Sequence, residues 1–76
     1  MIARTWLRDY LKRNRRTMSA VQIKAVATTA RQIDAAWTLE DLAAALRATM
    51  HAPAQSEKPI YMVGATTAEY VLGILP

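Results

Sequence analysis

Six carboxylates and one histidine are the groups in this chain that could do acid–base or metal chemistry. General acid–base catalysis needs two groups facing one reacting bond. Asp9, Asp34, Glu40, Asp41, Glu57 and Glu69 show no spacing that identifies such a pair. Glu40 and Asp41 are adjacent and would point about 100° apart on a helix. Both suit the first helical turn, where the macrodipole favours negative charge. His51 stands without an HxxxH or HxxE companion in a chain that lacks cysteine, so no metal-ligand set forms around it. It fits the negative end of a helix instead. The GATT segment at 64–67 has one glycine and no following lysine. It reads as a turn feeding a capped segment and does not match a phosphate-binding loop. The expectation is a protein that is not an enzyme, with no catalytic residue, cofactor or metal.

The remaining chemistry is cationic. Arg4, Arg8, Lys12, Arg13, Arg15 and Arg16 fall within thirteen positions of one another. On a helix, Arg4, Arg8, Lys12 and Arg15 share an arc of roughly 80°, because each step turns the chain about 100°. Such a stripe can neutralise phosphates and release their counterions. The same residues can anchor an acidic protein surface. A solvated helix face would also carry them. The net charge of +4 and pI near 10.0 favour anionic partners without choosing among them.

The elements that must position these side chains are predominantly helical. Ile2, Ala3, Trp6, Leu7, Tyr10 and Leu11 recur at spacings of three and four, which predicts a first helix over about 2–15 with its apolar face opposite the cations. Ser19 and Gln22 have capping-box spacing, and Met18 can staple onto Ile23, so a second helix should run over about 20–36. Thr38 and Asp41 repeat that spacing ahead of a third helix over 39–51, whose stripe is Leu39, Leu42, Ala43, Leu46 and Met50. With only Trp37 and Thr38 between them, the second and third helices are expected to turn sharply and pack side by side. A compact three-helix core follows.

Ala52 to Lys58, APAQSEK, reads as an internal linker at 52–58. Beyond it, Ile60, Tyr61, Met62 and Val63 read as a short buried strand. Two continuations compete. Thr66 and Glu69 have capping-box spacing and favour a helix from 67 to about 75. Tyr70, Val71, Leu72 and Ile74 favour a second hairpin strand. The helix is preferred, and it would leave 60–63 as an edge to pair with a second copy, giving a homodimer.

The segment WTLEDLAAAL, Trp37 to Leu46, resembles the opening helix of helix-turn-helix domains over ten residues. That resemblance implies a polar recognition helix within about four residues of its end. The chain departs from the pattern with RATMHAPAQSEKP, in which Pro53 opposes a helix there. Were the third helix itself the reader, Glu40 and Asp41 would face phosphates.

Length and composition bound the rest. Seventy-six residues, 53% of them apolar, form one small domain over 1–76. Arg4, Arg8, Asp9 and Lys12 interrupt any secretory apolar run, which makes a cytoplasmic location the expectation. Pro59 to Pro76 is too short and, with Glu69, too polar to span a bilayer. A protein-interaction module of the inhibitor or adaptor type ranks first, a size class that includes chains encoded by phages and mobile elements. Its supports are Met18, Met50, Met62 and the 60–63 edge. Nucleic-acid binding through the basic stripe ranks second. Docking on a membrane surface and enzymatic activity rank below both.

Overall fold

Two reciprocal side-chain bonds start the middle helices. A computed structural model of the chain describes residues 1–51 and 64–76, with the backbone alone at His51. Among these residues the protein is mainly helical: α1 is Ala3–Asn14, α2 Ala20–Gln32, α3 Leu39–His51 and α4 Ala65–Ile74. A 3-10 turn, Arg15–Thr17, extends α1. At α2 the Gln22 N–H donates to Ser19 Oγ at 3.2 Å, and the Ser19 N–H donates to Gln22 Oε1 at 3.0 Å. At α3 the Asp41 N–H donates to Thr38 Oγ1 at 3.2 Å, and the Thr38 N–H donates to Asp41 Oδ2 at 3.0 Å. Both boxes expected from i,i+3 spacing are therefore formed. They satisfy donors that no helical carbonyl can reach.

The second helix ends earlier than its apolar spacing predicts, at Gln32 and not near Ala36. Asp34 is the cause. Its Oδ1 accepts from the Ala36 N–H at 2.8 Å, and its carbonyl accepts from the Trp37 N–H at 3.1 Å. This turn competes with helix propagation, as Asp side chains commonly do. Six residues, 33–38, thus connect α2 to α3 in place of two, and among the described residues these two helices are not a closely packed pair. Instead α1 lies on α2, α3 lies on α4, and α2 meets α4 to close the bundle.

The N-terminus helps to hold this connection. Ile2 is expected on the helical face of α1 but sits in extended backbone ahead of it, bridged antiparallel to Thr38. The Ala3 N–H donates to the Trp37 carbonyl at 2.9 Å, and the Leu39 N–H donates to the Met1 carbonyl at 3.2 Å. The first residue of each helix is thereby satisfied by the segment preceding the other. Ile2 consequently remains exposed.

The core contains Ala3 and Leu7 from α1, Val26 and Ala30 from α2, Leu42, Ala45 and Leu46 from α3, and Ala68 and Val71 from α4. Alanine at four of these positions permits close helix approach. Two threonines are buried among them, and each hydroxyl is satisfied within its own helix. Thr29 Oγ1 donates to the Ala25 carbonyl at 2.8 Å, and Thr49 Oγ1 to the Ala45 carbonyl at 2.9 Å. The radius of gyration, 11.5 Å, is close to the ~11 Å of a compact chain of this length.

The C-terminal segment is a helix, which removes the hairpin alternative. Its start lies two residues before the expected one, with Gly64 as the capping position and no side-chain cap bond, so the Thr66–Glu69 box does not form. The fourth helix contributes Ala68 and Val71 to the core, so the expected three-helix core is a four-helix one. The linker at 52–58 and the strand with its dimer edge, Ile60, Tyr61, Met62 and Val63, lie outside the described residues. No helix among the described residues is long and apolar enough to cross a membrane.

Candidate functional site

The six cations of the N-terminal segment do not act as one stripe. Arg4 is half-buried and turned to the neighbouring helix. Its Nε donates to the Ala30 carbonyl at 2.9 Å, and its terminal nitrogen donates to the Ile33 carbonyl. These oxygens belong to the last turn and cap of α2, where carbonyls lack helical partners and the dipole is negative. Arg4 is therefore a tertiary cap for α2. The geometry explains why: Arg4 lies only about 60° around α1 from buried Leu7, at the edge of the packed face.

Arg8, Lys12, Arg13, Arg15 and Arg16 are all exposed. Three of them, Arg8, Lys12 and Arg15, are brought together along the outer side of α1, where with Thr5, Asp9 and Leu11 they line a shallow hollow. The Arg15 N–H still donates to the Leu11 carbonyl, a helical i→i−4 bond that keeps Arg15 near the next position of α1, although Asn14 (φ −114°, ψ −2°) already departs from helical values and Arg15 opens the 3-10 turn. The three cations consequently stand at i, i+4 and i+7 over a rise of roughly 10 Å. Arg13 and Arg16 stand outside this lining.

The hollow has a definite order across the helix. Leu11 forms one rim and also packs against the core. Arg15, Arg8 and Lys12 follow around the helix, then Thr5, then Asp9, spread over about 160° at the helical turn angle. Sequence reasoning missed Thr5, Asp9 and Leu11 as site residues. Thr5 and Asp9 are legible as the positions that follow Lys12 around the helix, whereas the spacing of Leu11 points to the core alone.

Local structure accounts for part of the charge at the far end of α1. Lys12 and Arg13 occupy its last turn, where cations favour the negative end of the dipole. The Asn14 amide donates to the Tyr10 carbonyl at 2.9 Å, and Thr17 Oγ1 to the Asn14 carbonyl at 3.0 Å, so carbonyls there are served without the cations.

Two of the carboxylates are engaged structurally: Asp34 and Asp41 both accept backbone N–H bonds. Glu40 lies in the first turn of α3, as its dipole reading requires. Among the described residues no group of three histidine, cysteine or acidic side chains is arranged to hold a metal ion. Met50 packs against the core, as its place in the α3 stripe predicts, and Met18 packs there too, so neither is the free surface methionine that the interaction reading also drew on. Met62 lies outside the described residues.

A second feature joins α1 to α4. The Trp6 and Tyr10 rings stack with centroids 5.4 Å apart at an interplanar angle of 24°. Tyr70 of α4 has its pKa raised above the ordinary value by burial first and then by the Tyr10 phenol beside it. These aromatics are half-buried. Compared with protein families, curated proteins and solved structures, the chain matches none.

Proposed function

We propose that this protein is a small non-enzymatic binding module that docks on an acidic protein surface through the outer side of α1, acting as an inhibitor or adaptor within the cytoplasm. What supports the reading is one observation: Arg8, Lys12 and Arg15 are exposed together in a hollow that also contains Leu11 and Asp9. A mixed apolar, basic and acidic lining matches a protein surface, in which arginines serve as anchors. Phosphate backbones offer nothing to Leu11 and are repelled by Asp9.

The test is a photo-crosslinking side chain placed at Thr5, inside the hollow, and in parallel at Arg31, an exposed position on α2. A crosslinked species from position 5, sensitive to protease and resistant to nuclease, is the expected result. No adduct from position 5, or equal adducts from both positions, would count against the reading.

Nucleic-acid binding is the second reading, favoured by the density of exposed cations at Arg8, Lys12, Arg13, Arg15 and Arg16. It requires sequence-independent affinity that falls steeply with salt. Fluorescence anisotropy with labelled duplex and single-stranded DNA and RNA checks it, comparing the native chain with Arg8→Glu plus Lys12→Glu. No binding at low salt removes it.

A further inference from the structure

We infer that the partner segment seated on α1 is an acidic helix of another protein, lying along α1 with carboxylates at i, i+4 and i+7. This rests on the protein-docking reading above and goes beyond it by naming the partner's shape and charge order.

Three observations carry the inference. First, Arg8, Lys12 and Arg15 stand at i, i+4 and i+7, the first two within α1 and Arg15 at its end, where its N–H bond to the Leu11 carbonyl holds it near the helical position. A straight helix laid beside α1 presents side chains at that same spacing, so three charge pairs form together in one register. Second, the flanks differ. Leu11 lies on one side of the cations and Asp9 on the other, so a helix carrying an apolar residue on one flank and a base on the other fits in one direction only. Third, among the described residues the cations left in the hollow make no side-chain hydrogen bond of the kind that holds Arg4. Charge complementarity selects the sign of the partner, the i, i+4, i+7 spacing selects a helix, and the unequal rims count against a uniform polyanion.

The helices of the described residues do not supply such a ladder. α1 carries one acid, Asp9, α4 carries one, Glu69, and α2 carries none. In α3, Glu40 and Asp41 are adjacent, and the Asp41 carboxylate is held by Thr38. A second copy of α1 would set cation against cation. The occupant is thus a helix of different sequence.

The probe is an alanine-rich helical peptide with glutamates at i, i+4 and i+7, a leucine on one flank and a lysine on the other. Its control is an isomer of the same composition with the glutamates scattered around the helix. Anisotropy with the full chain should show the scattered isomer binding about tenfold or more weakly. Arg8→Glu plus Lys12→Glu should abolish binding of the ordered peptide. The decisive variant is Asp9→Lys, which should weaken the ordered peptide about two- to fivefold, the scale of one exposed ion pair, while strengthening the binding of duplex DNA. Equal affinity for the two isomers, tighter peptide binding by Asp9→Lys, or failure of the ordered peptide to bind would overturn the inference. If any of these occurs while the Thr5 crosslink still captures protein, docking stands and only the helical charge ladder falls. If the Thr5 crosslink captures a second copy of the chain or nuclease-sensitive material, both readings fall.

Discussion

The Arg4 guanidinium donates to the Ala30 carbonyl at 2.9 Å across the α1–α2 interface, and also to the Ile33 carbonyl. This contact turns Arg4 away from the proposed docking face and gives it a structural task. Hydrogen bonds that involve a charged donor contribute about 1.5–3 kcal/mol each at most. Because Arg4 is only half-buried, we expect Arg4→Ala to destabilise the fold by about 1–2 kcal/mol in urea unfolding. Ordered-peptide or partner binding by the folded variant should be unchanged. A loss of affinity without loss of stability would return Arg4 to the site.

Capping predicts an asymmetry between two spacings that look alike in sequence. Ser19→Ala and Thr38→Ala each break a formed box and should cost about 1 kcal/mol. Thr66→Ala and Glu69→Ala break none and should stay within about 0.5 kcal/mol of the native chain. Thermal melts check both, since 1 kcal/mol moves Tm by about 4–8 °C in a domain of this size.

The core is thin enough for one truncation to be felt globally. Leu46 is fully buried among residues of the core cluster. Leu46→Ala should cost about 2–5 kcal/mol, against a total stability on the order of 4–11 kcal/mol for this length. Circular dichroism during urea titration should show a much earlier midpoint.

Alkaline pH gives a further check. Burial and the adjacent Tyr10 phenol raise the Tyr70 pKa in the folded state. The unfolded chain then loses that proton at lower pH than the folded one, so stability falls as pH rises. The contribution is fully present below the ordinary tyrosine pKa of about 10 and is lost as pH climbs through the raised value. Tyr70→Phe should flatten the decline of the urea midpoint above about pH 10, leaving only what other groups contribute.

What could be read in the sequence was what is local. The Ser19–Gln22 and Thr38–Asp41 boxes join residues three apart, and the apolar repeats of α1 and α3 are periodic, so their types and starts were legible. The end of α2 was not, because the Asp34 turn opposes propensity with two hydrogen bonds that spacing does not reveal. Ile2 misled through periodicity, since its backbone is claimed by Thr38 from the α2–α3 connection. Within the candidate site, Arg8, Lys12 and Arg15 were legible as neighbours on a helix. The diversion of Arg4 was not, because it depends on the end of α2 lying beside the start of α1. Gly64 likewise starts α4 through backbone geometry alone, ahead of the Thr66–Glu69 pattern.

The most direct test of the central claim is the yield of protein adduct from a photo-crosslinker at Thr5, measured in the native background and again with Arg8→Glu plus Lys12→Glu. Docking through the outer side of α1 predicts a nuclease-resistant protein adduct in the first case and its loss in the second, with the helical content of the chain unchanged. An adduct that persists after both charge reversals, or one that nuclease destroys, would contradict it.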